Sequence, residues 1–130
     1  MKRLLATVAL AAVALVAAAC GTTNAGNAGQ PAAPVAVDPS APAIVAKDIK
    51  FVTTQVKVPA GKAFGLSFDN QDGAPHNVAI YADSSASQNL FQGEIFSGAT
   101  RVYQVPALAP GSYFFRCDVH PDMTGTIVAG

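Results

Sequence analysis

Short alternations of apolar and polar residues, separated by turn residues, fill the chain from position 43 to its end. Phe64, Leu66 and Phe68 alternate with small residues, a pattern typical of a half-buried strand. Residues 83–89 are polar and are expected to be irregular, with room for one helical turn. The predicted strands are residues 44–49, 51–58, 64–68, 76–81, 90–96, 100–105, 112–117 and 124–128. With no amphipathic helix in the pattern, the sequence predicts an all-β sandwich of about eight strands.

The first twenty residues are typical of a secretory leader rather than of a folded domain. Lys2 and Arg3 form a basic start, and residues 4–18 are an almost unbroken apolar run. That run is shorter than the about 20 residues of a membrane span, and the alanines at 17–19 suit a cleavage site. We therefore expect residues 1–20 to be a signal peptide and the domain to be extracytoplasmic.

Cys20 and the small residues around it resemble a bacterial lipobox, in which the cysteine carries a lipid and becomes the mature N-terminus. Ala17 stands where that motif usually has Leu, so ordinary secretory cleavage remains an alternative. We expect a lipid anchor in the cell membrane, the alternative being a soluble periplasmic or secreted protein. Residues 21–42, rich in Gly, Asn, Ala and Pro, predict a flexible tether to a domain at 43–130.

Charge and cysteine content narrow the range of functions. The full chain has eight basic and eight acidic residues, and loss of Lys2 and Arg3 with the leader leaves a net charge of about −2. Because the basic residues are scattered, nucleic-acid binding is not expected. With Cys20 in the leader, Cys117 has no partner for an internal disulfide. It is therefore a free thiol, an intermolecular link or a metal ligand.

Metal-binding side chains are concentrated in one short segment. Cys117, His120 and Met123 recur at intervals of three residues, and His76 is the only other histidine. Each of these residues alone has an ordinary structural explanation, such as core packing, but random placement seldom collects them all. A thiolate, two imidazoles and a weak thioether are the donor set of a blue-copper electron-transfer site.

Strand parity predicts that these donors meet in the folded protein. Residues two apart in a strand share a face, so His76 lies on the side of Val78, and Cys117 lies on the side of Phe115. If the apolar residues point into the core, His76 and Cys117 point inward as well. His76 starts one strand and Cys117 ends another, so pairing of the two strands as antiparallel neighbours would place both residues at the same pole. The loop beyond Cys117 carries the two remaining donors.

Other metals and functions agree less well with the same donors. Structural zinc usually takes four strong nitrogen or sulfur ligands, and methionine is too weak a donor for that role. Redox catalysis would need an additional open metal site with its own histidines, so we expect no enzyme activity. Two alternatives remain: a copper-binding or copper-delivery module whose redox change is incidental, and a metal-free adhesion-type sandwich.

Residues 47–128 resemble a small cupredoxin of the plastocyanin/amicyanin type. The matching segments are residues 49–51, 58–61, 75–78, 111–117 and 117–123. The two residues between His120 and Met123 make a short ligand loop that is most similar to that of amicyanin. The resemblance implies a Greek-key β-sandwich of about eight strands with one type 1 copper near one end. It also implies His76, Cys117 and His120 as equatorial ligands and Met123 as the axial ligand.

Supporting roles near the metal are expected for several neighbouring residues. Asn77 resembles the family asparagine whose side chain braces the cysteine-containing loop, a loop-end surface asparagine being the alternative. The backbone carbonyl of Pro75 is expected to face copper from the side opposite the axial methionine. Asp118 and Asp122 are expected to be solvated charges beside the site.

These observations together predict a membrane-tethered type 1 copper protein that carries single electrons. Copper would alternate between Cu(II) and Cu(I), with His120 as the exposed edge through which electrons enter and leave. We expect a monomer whose partners are a donor and an acceptor redox protein, both unidentified by the sequence.

Overall fold

Nine β-strands in two sheets form the fold in the computed structural model, which describes residues 34–35 and 40–130. The strands are β1 (Pro34–Val35), β2 (Ala43–Ala46), β3 (Gln55–Val58), β4 (Phe64–Asn70), β5 (Ala79–Tyr81), β6 (Asn89–Gln92), β7 (Ala99–Val105), β8 (Gly111–Arg116) and β9 (Thr124–Ala129). One sheet has the order β1-β7-β4-β2 and the other the order β3-β9-β8-β5-β6. This architecture confirms the predicted all-β sandwich.

The predicted leader, including Cys20, lies outside the described residues, as does most of the predicted tether. Within the tether range, β1 pairs antiparallel with β7, with Pro34 opposite Tyr103. Over the part of the chain that the structure describes, no helix has the length and hydropathy required to cross a membrane.

Alternating apolar residues supply the core between the two sheets. Phe64, Leu66 and Phe68 of β4 are buried as the sequence pattern predicts. Phe51, in the connection between β2 and β3, packs its ring 6.1 Å from that of Phe68 and 5.1 Å from that of Phe115 on β8. Because Phe68 and Phe115 belong to different sheets, this aromatic cluster joins the two layers.

The prediction of a strand over 44–49 is wrong at its C-terminal end. Strand β2 ends at Ala46, and Asp48 and Ile49 both have φ of 55°. Reciprocal backbone hydrogen bonds between Lys47 and Lys50 close a turn there. A left-handed backbone cannot continue a strand, and a β-branched residue gives no sign of it in the sequence pattern.

The strands that carry the site differ from the prediction at one end. Strand β5 begins at Ala79 rather than at His76, and it pairs antiparallel with β8, with Ala79 opposite Arg116. His76 lies before β5 in an isolated antiparallel bridge to Phe96. Strands β8 and β9 pair antiparallel up to Arg116 and Thr124, so the residues between them form one tight connection.

Candidate metal centre

The four predicted ligands come from two connections, one that crosses from the four-stranded to the five-stranded sheet and one within the five-stranded sheet. His76 precedes β5, while Cys117, His120 and Met123 lie in the loop between β8 and β9. That loop is closed by its own backbone: the N–H of Cys117 donates to the carbonyl of Met123 at 3.0 Å. The N–H of Met123 in turn donates to the carbonyl of His120 at 2.9 Å. These bonds hold the three loop residues at fixed positions relative to one another.

Three donor atoms form a compact triangle at this end of the sandwich. The Cys117 Sγ atom lies 3.7 Å from Nδ1 of His76 and 3.9 Å from Nδ1 of His120, and the two Nδ1 atoms are 3.1 Å apart. The point equidistant from the three atoms is about 2.1 Å from each. Imidazole nitrogen and thiolate sulfur bind divalent zinc at about 2.0–2.3 Å, so a first-row metal ion fits this triangle.

Burial differs among the four residues. Cys117, His76 and Met123 are buried and His120 is partly exposed. Cys117 and Met123 belong to the same buried apolar cluster, which places both sulfur-bearing side chains in the core. Two imidazoles and a thiolate, with a thioether in the same loop, suit copper, whereas a structural zinc site would lack a fourth strong ligand.

A carboxylate holds the far side of the His76 ring. The Nε2 atom of His76 lies 2.9 Å from Oδ2 of Asp72. The backbone N–H of Ile49 is the main cause that holds the pKa of Asp72 below its usual value. Burial opposes this shift, while the N–H of Asp48 and the His76 ring reinforce it. Asp72 therefore stays ionised beside the ring, and the sequence pattern carried no signal for this role.

Asn77 lies against the segment that follows Cys117. Its Oδ1 atom accepts the N–H of Asp118 at 2.8 Å, and its Nδ2 atom donates to the carbonyl of Gly93 at 3.3 Å. The residue is 0% exposed, which does not agree with the alternative of a surface asparagine. Pro75, by contrast, is exposed at the position before His76.

The expectation that Asp118 is a solvated charge is wrong. Its side chain is 25% exposed and accepts hydrogen bonds from four side chains. The donors are Asn77, Tyr81, Gln92 and Arg116. Burial would raise the pKa of Asp118, but these hydrogen bonds outweigh it and hold the pKa below its usual value. The donors come from three strands or their flanks, so only the folded sheet brings them together. Asp122, in the same loop, is exposed.

The sequence matches a known family over almost its whole length. The model of the family described as cupredoxin-like domain matches residues 8–129. The chain is 32% identical over 80 residues to amicyanin-alpha of Methylorubrum extorquens, covering 62% of this chain and 64% of that relative. It is 30% identical over 95 residues to the amicyanin of Paracoccus versutus, covering 72% of this chain and 69% of that relative.

Solved structures show the same fold. The crystal structure of Paracoccus versutus amicyanin superposes with a TM-score of 0.59 at 28% identity, covering 75% of this chain and 92% of that one. Reduced auracyanin from Roseiflexus castenholzii superposes with a TM-score of 0.58 over 68% of this chain and 94% of that one, and at 17% identity it supports the fold alone. The chain belongs to the cupredoxin-like family.

Proposed function

We propose that this protein is a type 1 copper electron-transfer protein. His76, Cys117, His120 and Met123 would hold the copper. The observation that carries the proposal is the triangle of two Nδ1 atoms and one Sγ atom within 3.9 Å of one another. When bound, copper would supply a one-electron Cu(II)/Cu(I) couple, for which a donor set of two imidazoles, a thiolate and a weak thioether is suited.

The surroundings of the ligands favour electron transfer with little rearrangement. Backbone hydrogen bonds from Cys117 to Met123 and from Met123 to His120 hold the loop in one conformation. Pro75 and Pro121 have fixed φ angles next to the two histidines, which further limits movement. A site that need not move between oxidation states exchanges electrons faster than one whose bonds must rearrange.

Accessibility distinguishes His120 from the buried ligands. Its ring is partly exposed, and its neighbours Val119 and Pro121 are exposed. Ile95, one residue before the bridge partner of His76, is exposed as well. We place the electron entry and exit at the His120 edge, with these apolar side chains as a contact surface for donor and acceptor redox proteins.

The location that we propose is extracytoplasmic, with a lipid on Cys20 anchoring the chain to the cell membrane. The basic and apolar leader and the lipobox-like sequence support this location. Oxidising conditions outside the cytoplasm favour the pairing of cysteines in disulfides. Cys117 is buried and free among the described residues, which agrees with a role as a metal ligand.

Copper loading tests the proposed function. Cu(II) added to the purified protein should produce an intense thiolate-to-copper absorption band, and Cys117→Ser should abolish it. Copper should also raise the free energy of unfolding, by about 2.7 kcal/mol at a free concentration of 100 times Kd. An unchanged unfolding transition would support the metal-free sandwich and contradict the proposal.

Stopped-flow mixing separates the electron carrier from the copper-delivery alternative. Reduction by a small-molecule donor and reoxidation should be rapid, and the copper should remain bound through repeated cycles. Asp122→Asn is the matched control, because it alters the same loop without removing a donor and should keep the band. Transfer of copper to a metal-free acceptor on the same timescale would instead favour delivery.

A further inference from the structure

A strained surface turn lies next to the buried ligand His76. Asp48 and Ile49, consecutive non-glycine residues, both have φ of 55°. The left-handed region is uncommon for any residue other than glycine, and it is a real outlier for a β-branched side chain. Such conformations persist only where the surrounding structure holds them, and they concentrate at functional sites.

Both strained residues direct their N–H groups at one carboxylate. The N–H of Asp48 donates to Oδ1 of Asp72 at 2.7 Å, and the N–H of Ile49 donates to Oδ2 at 3.0 Å. The same Oδ2 atom lies 2.9 Å from Nε2 of His76. The side chain of Asp72 is 13% exposed, so the carboxylate connects the turn to the ring in a largely buried position.

The backbone of Asp72 is held as firmly as its side chain. Its N–H donates to Oδ1 of Asn70 at 3.0 Å, and its carbonyl accepts the N–H of Gly98 at 2.9 Å. Asn70 also donates to the carbonyl of Phe96, the residue that bridges His76. Because backbone and carboxylate are both fixed, Asp72 cannot turn away from the ring without breaking several hydrogen bonds.

An ionised carboxylate has no proton to donate, which leaves the ring only one role at this contact. Nε2 of His76 must carry the proton and donate it, which leaves the lone pair of Nδ1 facing Cys117 and His120. An anionic partner on the outer nitrogen also makes the inner nitrogen a stronger donor to a metal.

We infer that Asp72 is a positioning residue for His76, fixing the orientation of the ring and its Nε2–H form, with the turn at residues 47–50 holding Asp72 in place. The inference rests on the proposed role of His76 as a copper ligand. The ring form itself can be measured without copper.

Nuclear magnetic resonance on the copper-free protein tests the ring form. Long-range ¹H–¹⁵N spectra near pH 8 should show His76 with its proton on Nε2, and Asp72→Ala should produce a mixture of the two neutral forms. Asp122→Asn, which removes a loop carboxylate that does not contact the ring, should leave the His76 signals unchanged. A proton on Nδ1 in the unaltered protein, or no change in Asp72→Ala, would overturn the inference.

The copper-loaded protein gives a second, independent readout. Asp72→Asn keeps the shape of the side chain and removes its charge, so it is the variant to use if Asp72→Ala does not fold. We expect Cu(II) affinity to fall about 10–100-fold with a smaller effect on Cu(I). The Cu(I):Cu(II) ratio at a fixed ambient potential should therefore rise about tenfold. Asp72→Glu should restore part of the difference, and Asp122→Asn should change the ratio less.

The two measurements separate failure of this inference from failure of the proposed function. Lower stability of Asp72→Asn with an unchanged Cu(I):Cu(II) ratio would show that Asp72 only ties down the turn, and would overturn the inference. Suppose instead that the Nε2–H form of His76 depends on Asp72 but the protein shows no thiolate-to-copper band. That result would support the positioning role and refute the copper function. Ile49→Gly, which keeps the N–H and relieves the strain, should leave the ring form unchanged.

Discussion

Asp118 follows Cys117 directly, and its carboxylate is a point where three strands of one sheet are joined. Tyr81 and Gln92 donate to it from β5 and β6, and Arg116 donates to it from β8. Arg116 also packs its guanidinium 4.9 Å from the ring centre of Tyr81. The position of the Cys117 backbone therefore depends on a charged network as well as on apolar packing.

Replacement of this carboxylate should weaken the fold in a pH-dependent way. Asp118→Asn in the copper-free protein should lower the free energy of unfolding at pH 7 by about 1–2 kcal/mol, since partly exposed hydrogen bonds to a charge are worth less than buried ones. Because the folded pKa of Asp118 is below its ordinary 3.8, its contribution is complete above that pH. The contribution is lost as the pH falls through the lower folded pKa.

Urea unfolding of both proteins at pH 7 and below pH 3 measures this effect. The difference between Asp118→Asn and the unaltered protein should shrink at the lower pH. Asp122→Asn is the control for loss of a loop charge and should stay within about 0.5 kcal/mol of the unaltered protein at pH 7. A difference of equal size at both pH values would show that the charge of Asp118 does not contribute.

At this residue scale, the sequence pointed to the candidate ligands but not to the carboxylates that contact them or their neighbours. His76, Cys117, His120 and Met123 were recognisable because each is rare in the chain and the spacing is regular. Asp72 and Asp118 were not, because a chain with several aspartates gives no sign of which carboxylates become partly buried. Several of the groups that donate hydrogen bonds to these two carboxylates lie 23 to 41 positions away along the chain.

At the scale of elements, the β8–β9 pair determines how closely the ligand loop is held. Gly125 lies opposite Phe115 in this pairing. A Cβ atom added at Gly125 would lie 2.3 Å from the Phe115 ring and 2.8 Å from the carbonyl oxygen of Thr54. Phe115 is fully buried and Thr54 presents backbone, so neither can move aside cheaply.

Gly125→Ala should therefore destabilise the protein by about 1–3 kcal/mol, the usual cost of an overpacked core. Gly125 is two residues after Met123, and Phe115 is two residues before Cys117, so the position of the thiolate-to-copper band should shift as well. Thermal unfolding and the absorption spectrum measure the two effects. Gly73→Ala is the matched control, because an added Cβ there meets no atom within 4 Å. Equal stability of the two variants would contradict the packing argument.

The elements also show where pattern analysis succeeds and where it fails. The alternation in β4 predicted its buried face correctly, because period-two burial is a property of any strand with one side in a core. The ends of β2 and β5 were predicted wrongly, because these ends depend on hydrogen bonds to residues far along the chain. Strand β2 ends at a left-handed turn, in which Asp48 and Ile49 donate their N–H groups to Asp72. Before β5, the backbone of His76 pairs with Phe96 in an isolated bridge.

At the scale of the whole molecule, the length of chain between the proposed anchor and the domain limits where the protein can act. Cys20 is fourteen residues before Pro34, the first residue of β1. Even a fully extended chain of that length spans at most about 50 Å. If Cys20 carries the lipid, the copper domain must exchange electrons close to the membrane surface.

The anchor and the metal site should be separable by mutation. Cys20→Ala should move the protein from the membrane fraction to the soluble fraction and leave the thiolate-to-copper band unchanged. Cys117→Ser should do the reverse, abolishing the band while the protein stays with the membrane. Mass spectrometry of the mature N-terminus supplies the direct measurement, and an unmodified start after Ala19 would refute the lipid anchor.

The sequence by itself determined the fold class and the set of candidate metal donors. Strand alternation and turn residues are local properties, and the two histidines, together with the one cysteine and the one methionine that follow residue 20, can be read directly from the printed chain. Only the tertiary structure decided the donor triangle and the two carboxylates that support it. Several of those contacts join residues more than twenty positions apart, and the fold alone determines which of the many polar residues lose water and find partners.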